Sequence, residues 1–237
     1  MNRDSTNDTP AAAPLTEEQR DGVYRAIAGR RDMRHFLDQP VAPQVLERLL
    51  QAAHRAPSVG LMQPWRFIRI TDRQLRLRIH ALVDAERRAT AQALGEREQE
   101  FMRLKVEGIL ECGELLIAAL MDQREPHIFG RRTLPQMDLA SVACAIQNLW
   151  LAAYAEGLGL GWVSLFEPEA LKQLLQMPGD SEPVAILCLG HVENFYPAPM
   201  LQLENWAQPA PLQNFVMENR WTNNAGTARP ERERSDG

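Results

Sequence analysis

Three arginines fall within five residues in the stretch Arg30-Arg31-Asp32-Met33-Arg34. Planar guanidinium forks at that density, in a loop after a helical segment, suit a multi-oxygen anion such as a phosphate. The plainer reading is a solvated basic turn. Asp32 is the odd member of the cluster. It could pair with its neighbours or, held near a reacting group, act as a base or orient that group. A second stretch, Ala56-Pro57-Ser58-Val59-Gly60-Leu61-Met62-Gln63-Pro64-Trp65, supplies hydrogen-bonding groups at Ser58 and Gln63. Its Pro57, Gly60 and Pro64 fix an unusual backbone path. Taken alone, it is a loop built of turn residues. The third is Gly157-Leu158-Gly159-Leu160-Gly161-Trp162-Val163-Ser164. A dinucleotide fingerprint follows a strand and opens a helix, whereas this stretch follows a helix and enters a strand. A helix cap and tight turn account for it. Ser164 at its end remains a candidate, because a hydroxyl leaving a strand can face a ligand.

Several chemistries are excluded or disfavoured. His35, His54, His80, His127 and His191 show no metal-ligand spacing with one another or with cysteine, so no metal site is expected. There is no phosphate-binding P-loop, nucleophile elbow or zinc-protease helix motif. Glu111 and Glu114 stand at helix-like spacing and read as exposed. Cys112, Cys144 and Cys188 lie far apart and read as core thiols of a reducing compartment, with the cytoplasm as the expected location. The net charge of -5, from 26 basic and 31 acidic residues, argues against a nucleic-acid partner. No run approaches the apolar length that spans a bilayer, and the N-terminus lacks the order of a secretory signal.

The elements that must position these groups follow from periodicity. Thr16 and Gln19 have the spacing of a capping box opening a first helix, with Val23 and Ile27 as its apolar stripe. A second helix follows Pro43, carries Val45, Leu46, Leu49, Leu50 and Ala53 on one face, and stops at Pro57. Residues 65–70 read as a strand. Residues 73–107 look helical, but eleven charged residues between Asp84 and Glu107 make the second half largely solvated. It is either an exposed helix pair or, at 85–107, a mobile lid over a site. Strands are predicted at 115–121, 161–166 and 184–189, and a short helix at 168–176. A long helix at 139–156 is apolar on nearly every face and ends at Gly157. Such a helix is buried, and a second subunit is the simplest cover. Strands among long helices indicate α/β or α+β rather than a bundle. One domain at 15–222 is expected, between disordered tails at 1–14 and 223–237.

In this order and at these separations, the arginine cluster, the APS…QPW turn and the helix–GLGLGW step resemble the nitroreductase-like flavoenzymes, over about residues 16–222. The resemblance implies an α+β nitroreductase-like fold: a mixed, mainly antiparallel sheet flanked by helices, in an intertwined homodimer whose subunits share each site. It implies FMN as cofactor, with Arg30, Arg31 and Arg34 on its phosphate and Ser58 and Gln63 on its ribityl chain or ring. Ordinary members typically have serine where this chain has Asp32, and often asparagine where it has Leu61. With Gly130-Arg131-Arg132-Thr133, Pro135-Gln136-Met137-Asp138 and Gly161-Trp162-Val163-Ser164-Leu165-Phe166, the variant forms resemble the 5,6-dimethylbenzimidazole synthase subgroup. That resemblance implies reduced FMN as substrate and molecular oxygen as co-substrate. The flavin is cut to erythrose 4-phosphate and the lower-ligand base of vitamin B12. Asp32 and Ser164 would be the catalytic pair, Leu165 would join the flavin contacts, and a separate NAD(P)H-flavin reductase would supply electrons. A conventional FMN-dependent NAD(P)H nitroreductase or quinone oxidoreductase is the alternative, and a non-catalytic flavin-binding protein a third. One departure is Ala207-Gln208-Pro209-Ala210, where the resemblance implies a basic residue.

Overall fold

The two most apolar runs of the chain become the central strands. In the computed structural model, which describes residues 13–222, β2 (Glu114–Leu120) pairs antiparallel with β4 (Glu182–Gly190). β1 (Trp65–Arg69) adds to β2, and β3 (Gly159–Val163) adds to β4, both antiparallel, in the order β1-β2-β4-β3. A single parallel bridge, Asp32 to Leu160, makes the arrangement mixed. Side chains alternate across a strand, and β2 divides accordingly. Leu116, Ala118 and Leu120 join one core with α2 (Pro43–His54) and α5 (Met137–Ala155). Leu115 and Ile117 join a second core with Ile79 and Val83 of α3 (Arg73–Leu94) and Leu171 of α6 (Pro168–Leu174). Covered on both faces, every residue of β2 is buried.

α1 (Glu17–Gly29) opens with the predicted capping box: the Gln19 N–H donates to Thr16 Oγ1 and the Thr16 N–H to Gln19 Oε1. Its apolar stripe is present but turned outward. No α1 residue is buried, and Val23 and Ile27 are about half exposed. α5 buries Val142, Ala145, Ile146, Leu149 and Trp150 yet leaves Ala140 and Cys144 bare. The helix expected to be buried all round therefore keeps one uncovered stripe within this chain. Cys144 is an exposed thiol, not a core one, because it lies on that stripe.

Other expectations change as well. Glu114 is not an exposed helical carboxylate: it begins β2, is buried, and takes Arg69 Nε and Nη2 at 2.7 and 2.6 Å. A charge-assisted fork of this kind is what makes its burial tolerable. The strand expected at 161–166 starts two residues earlier, where Gly159 pairs with Gly190, and ends at Val163. Glu167 then caps α6 with its side chain, which ends the extended run and leaves Ser164 and Leu165 beyond the strand. The charged stretch after α3 folds back as α4 (Glu98–Arg103), anchored by buried Ala91, Phe101 and Leu104. Arg87 ties the pair by donating to the carbonyls of Met102 and Leu104.

The described residues divide into two compact units, one ending at Pro197 and the other starting at Ala198. The second holds the short helix α7 (Met200–Leu203) and exposed Leu212, Phe215 and Trp221. The tails expected at 1–14 and 223–237 lie outside the described residues, apart from Ala13 and Pro14. Among the described residues no helix is long and apolar enough to cross a membrane.

Candidate active site

β3 is an edge strand, and an edge exposes unpaired N–H and C=O groups. The arginine segment covers that edge. The Met33 N–H donates to the Leu160 carbonyl at 3.0 Å, and Met33 itself is buried. Beyond this bridge the side chains take over. Asp32 Oδ1 accepts from the Trp162 N–H at 2.9 Å, and Arg34 Nη2 donates to the Trp162 carbonyl at 2.8 Å. The two side chains close on each other, Arg34 Nη2 to Asp32 Oδ2, at 2.5 Å. Asp32 and Arg34 thus act together as an artificial strand residue clamped on Trp162.

This clamp explains the glycines. A Cβ at Gly161 would lie 2.2 Å from the Met33 carbonyl oxygen and 2.9 Å from Arg34 Nη1. One at Gly159 would lie 2.5 Å from Val192 Cγ1. Only Gly157, at φ +75°, performs the helix-end role expected of the whole motif. The other two let the arginine segment lie against β3.

The clamp is supported from behind. Trp150 Nε1 donates to the Arg31 carbonyl at 3.1 Å, and the Arg30 guanidinium stacks 4.9 Å over the Trp150 ring. Tyr196 was not singled out from the sequence. Its Oη accepts from the N–H groups of Arg34 and His35 at 3.2 and 3.3 Å and meets His35 Nδ1 at 2.7 Å. No local signal marks a partner more than 160 residues away.

Electrostatically the clamp is unequal. Arg34 is buried, whereas 42% of the Asp32 side chain stays accessible. Burial pushes the Asp32 carboxyl above its ordinary value of 3.8. Arg34, the Trp162 N–H and Arg30 pull the other way without overcoming that rise. The folded state therefore binds this proton more tightly than the unfolded chain. The stability gained by that protonation is present in acid and is lost as pH rises through the folded value.

An anionic ligand fits what remains. Nε and Nη1 of Arg34 and Nε of Arg31 are buried without any partner, an expensive state for guanidinium N–H groups. Arg31 spends Nη1 on the carbonyls of Ala28 and Arg30 and Nη2 on that of Pro197. Ser164 is exposed two residues past Trp162, and Leu165 is half-buried against the second core.

Ser58 and Gln63 occupy a separate turn. Ser58 Oγ accepts from the Gln63 N–H at 3.1 Å, leaving the hydroxyl hydrogen free to donate outward. The Val59 N–H donates to Ser141 Oγ at 3.1 Å, and that hydroxyl donates to the Met137 carbonyl. Gly60, Leu61 and Gln63 all have left-handed backbones, at φ +52°, +53° and +48°. For leucine and glutamine this costs about 1 kcal/mol each. The turn hangs on Ser141 near the start of α5, whereas the arginine segment hangs on Trp150. Those attachment points stand about 13 Å apart along the helix. The turn and the arginine segment therefore attach to different stretches of α5.

A model of the nitroreductase family matches residues 27–191. The chain belongs to the nitroreductase family. The match spans both half-sites and the whole sheet. Among relatives, the 5,6-dimethylbenzimidazole synthase of Rhodospirillum rubrum is 38% identical over 81% of this chain and 92% of its own length. The Rhodobacter capsulatus protein of the same name is 38% identical over 83% of this chain and 96% of its own. A BluB-like flavoprotein from Clostridium difficile superposes with TM-score 0.65 at 18% identity, covering 82% of this chain and 97% of that one. An FMN-bound iodotyrosine deiodinase gives TM-score 0.64 at 21% identity, over 84% of this chain and 100% of that one. The nitroreductase fold is thus present with Asp32 at the centre of its arginine segment.

Proposed function

We propose that this chain is a 5,6-dimethylbenzimidazole synthase, which fragments reduced FMN with molecular oxygen to the benzimidazole and erythrose 4-phosphate, the remaining pyrimidine carbons leaving as a third fragment. The observation that carries this reading is the carboxylate of Asp32, clamped between Arg34 and Trp162 yet open to solvent on one side. The relatives of that name, 38% identical over most of the chain, support it. Reduced FMN supplies every carbon of the product and the electrons taken by oxygen. The protein binds, orients and moves protons.

Arg30 and Arg31, with the unpartnered N–H groups of Arg34, receive the phosphate by charge-assisted hydrogen bonds. Arg34 also holds the Asp32 carboxylate in one orientation. Asp32 then accepts a proton from the ribityl chain, the step that lets a carbon–carbon bond there break. Ser164 donates its hydroxyl to a developing negative charge at the flavin edge, beside Leu165. Ser58 and Gln63 contact the ribityl chain or ring from the second half-site.

Two copies complete the site. The bare stripes of α1 and α5 supply the apolar surface for a second copy. Antiparallel packing of α5 on its symmetry mate brings the Ser141 end of one helix beside the Trp150 end of the other. The Ser58–Gln63 turn of one copy then faces the arginine segment of its partner, as an isologous interface requires. A separate NAD(P)H-flavin reductase supplies the reduced FMN, in the cytoplasm.

The test is product analysis after mixing purified protein with chemically reduced FMN in air. Formation of 5,6-dimethylbenzimidazole is the expected result. If only oxidised FMN and peroxide form, while NADH or NADPH drives repeated flavin turnover, the chain is a conventional oxidoreductase. The same assay run against pH carries a further expectation. Asp32 works as a base only when ionised, and its proton is held more tightly than usual. Product formation therefore rises with pH along a limb lying above the ordinary aspartate value of 3.8. A limb near the ordinary value of 3.8 would contradict this.

A further inference from the structure

We propose that Cys112 and Cys188 form a buried, reversible thiol–disulfide switch that loosens the arginine segment when oxidised. The oxidant is hydrogen peroxide, which reduced flavin yields when it meets oxygen without fragmenting. The consequence for FMN rests on the assignment of its phosphate to those arginines.

The two thiols reach one spot from different parts of the chain. Cys188 lies in β4, Cys112 in the bend that leads into β2, and both are buried in the second core. The bend brings Cys112 over the strand: its Cα would lie 3.6 Å from a Cβ at Gly190, two residues from Cys188 on the same face. There the thiols share a hydrogen bond, and Cys112 also donates to the Ile109 carbonyl at 3.6 Å. The bond from Cys188 holds the Cys112 thiol below its ordinary value of 9.0 against its burial, and Arg76 adds to this. Burial pushes Cys188 well above that value. Cys112 is thus the better nucleophile and Cys188 its resolving partner.

The pair lies against the arginine segment. Cys188 faces Gly161 in the β3–β4 pairing, and partners across a pair share a face. On that face a Cβ at Gly161 would meet the Met33 carbonyl and Arg34. The bend touches the same segment: a Cβ at Gly108 would lie 2.8 Å from the Arg34 carbonyl and 2.5 Å from the Phe36 ring. Cys112 ties this bend together, its N–H donating to the Gly108 carbonyl at 3.0 Å. The residue that oxidation would move therefore holds the bend on which Arg34 and Phe36 rest.

The chemistry balances with one peroxide. The Cys112 thiolate attacks a peroxide oxygen, the O–O bond breaks, and a sulfenic acid and hydroxide form. The Cys188 sulfur then attacks that of Cys112, the S–O bond breaks, and the second oxygen leaves as hydroxide. The two thiol protons turn both hydroxides into water. Two thiols are oxidised to one disulfide while the peroxide is reduced to two waters. Peroxide reaches the shielded sulfurs by local opening of the bend, where Leu110 is 43% exposed. Bonding draws the sulfurs to about 2 Å and removes the S–H that Cys112 gives to Ile109, so the bend must shift.

The experiment uses full-length Cys144→Ser protein, which lacks the exposed thiol, treated with hydrogen peroxide and afterwards with dithiothreitol. Peptide mapping after alkylation of free thiols should find a Cys112–Cys188 disulfide that dithiothreitol removes. Amide hydrogen exchange is read at Met33, Arg34 and Leu37, whose N–H groups are hydrogen-bonded in this structure. It should quicken at least about fivefold on oxidation, and affinity for FMN should fall by a similar factor. Cys112→Ala in the same background should leave both quantities unmoved by peroxide. Peroxide-treated protein whose Cys112 and Cys188 both remain alkylatable on unfolding would overturn the switch. A mapped disulfide with unchanged exchange at Met33, Arg34 and Leu37 would overturn it too. Failure of the reduced protein to bind FMN would instead refute the phosphate assignment, and mapping and exchange would still decide the switch.

Discussion

Asp32→Asn is expected to lower benzimidazole formation by about a hundredfold or more, the usual range for removing a positioned base. The variant isolates the proton-accepting role. Asparagine keeps an oxygen where Oδ1 accepts from the Trp162 N–H, so the backbone clamp on β3 survives on that side. On the other side an amide N–H would face Arg34 Nη2, donor against donor, where a carboxylate oxygen now sits at 2.5 Å. The side chain therefore stays near its place but has no basic oxygen to offer. Affinity for oxidised FMN, read by flavin fluorescence, should change by less than about fivefold, because the phosphate is assigned to the arginines. The pH limb described above should vanish with the carboxylate. A variant that retains product formation within about threefold of wild type would reduce Asp32 to a structural partner of Arg34. A variant that loses flavin binding as well would place Asp32 in ground-state binding instead.

The second large effect is structural. Gly161→Ala is expected to destabilise the protein by about 3 kcal/mol and to abolish most product formation. The added methyl would sit 2.2 Å from the Met33 carbonyl oxygen, a backbone atom that cannot swing aside. The arginine segment must lift from β3. That motion breaks the Met33–Leu160 hydrogen bond and draws Asp32 and Arg34 away from Trp162. Thermal melting should fall by about 6–12 °C for a domain of this size. Gly22→Ala supplies the contrast. No atom lies within 4 Å of a Cβ at that position on exposed α1, and alanine favours the helix by up to about 1 kcal/mol. If Gly161→Ala melts with wild type, the close approach is not a constraint and the account of the glycine motif fails.

The two effects meet on one short edge of the sheet. Asp32 needs Gly161 because the carboxylate reaches the Trp162 N–H only when the segment lies flat on β3. The same packing removes part of the water around Asp32 and raises its proton affinity. Arg34 is the compromise that lets a carboxylate sit there: its charge lowers the cost of ionisation without cancelling it. A neutral hydroxyl at this position could not take up a proton at neutral pH.

Much of this was legible in the residues themselves. The capping box at Thr16 and Gln19, the amphipathic face of α2, the apolar runs that pair as β2 and β4, and the long helix α5 all follow from local propensity and periodicity. Those signals depend on neighbours a few positions away, which is why they survive without tertiary information. The arginine cluster, the Ser58–Gln63 turn and the GLGLGW step were visible as a set for the same reason. What they do to one another was not. The fork between Glu114 and Arg69, the outward face of α1 and the exposure of Cys144 depend on contacts between distant segments. A helix pattern reports that a stripe is apolar, not which body covers it.

By itself, then, the sequence determined the elements, the family resemblance and the residue types available for chemistry, because each is written in short-range pattern and order. Only the tertiary structure decided that Asp32 and Arg34 clamp Trp162, that Gly159 and Gly161 exist for close packing rather than for a phosphate, and that Tyr196 anchors the segment from behind. It also decided that the turn and the arginine segment hang from different turns of α5. The physical reason is common to all of these. Burial, hydrogen-bond partnership and steric approach are properties of pairs of atoms far apart in the chain, and their distances come into being only when the chain folds.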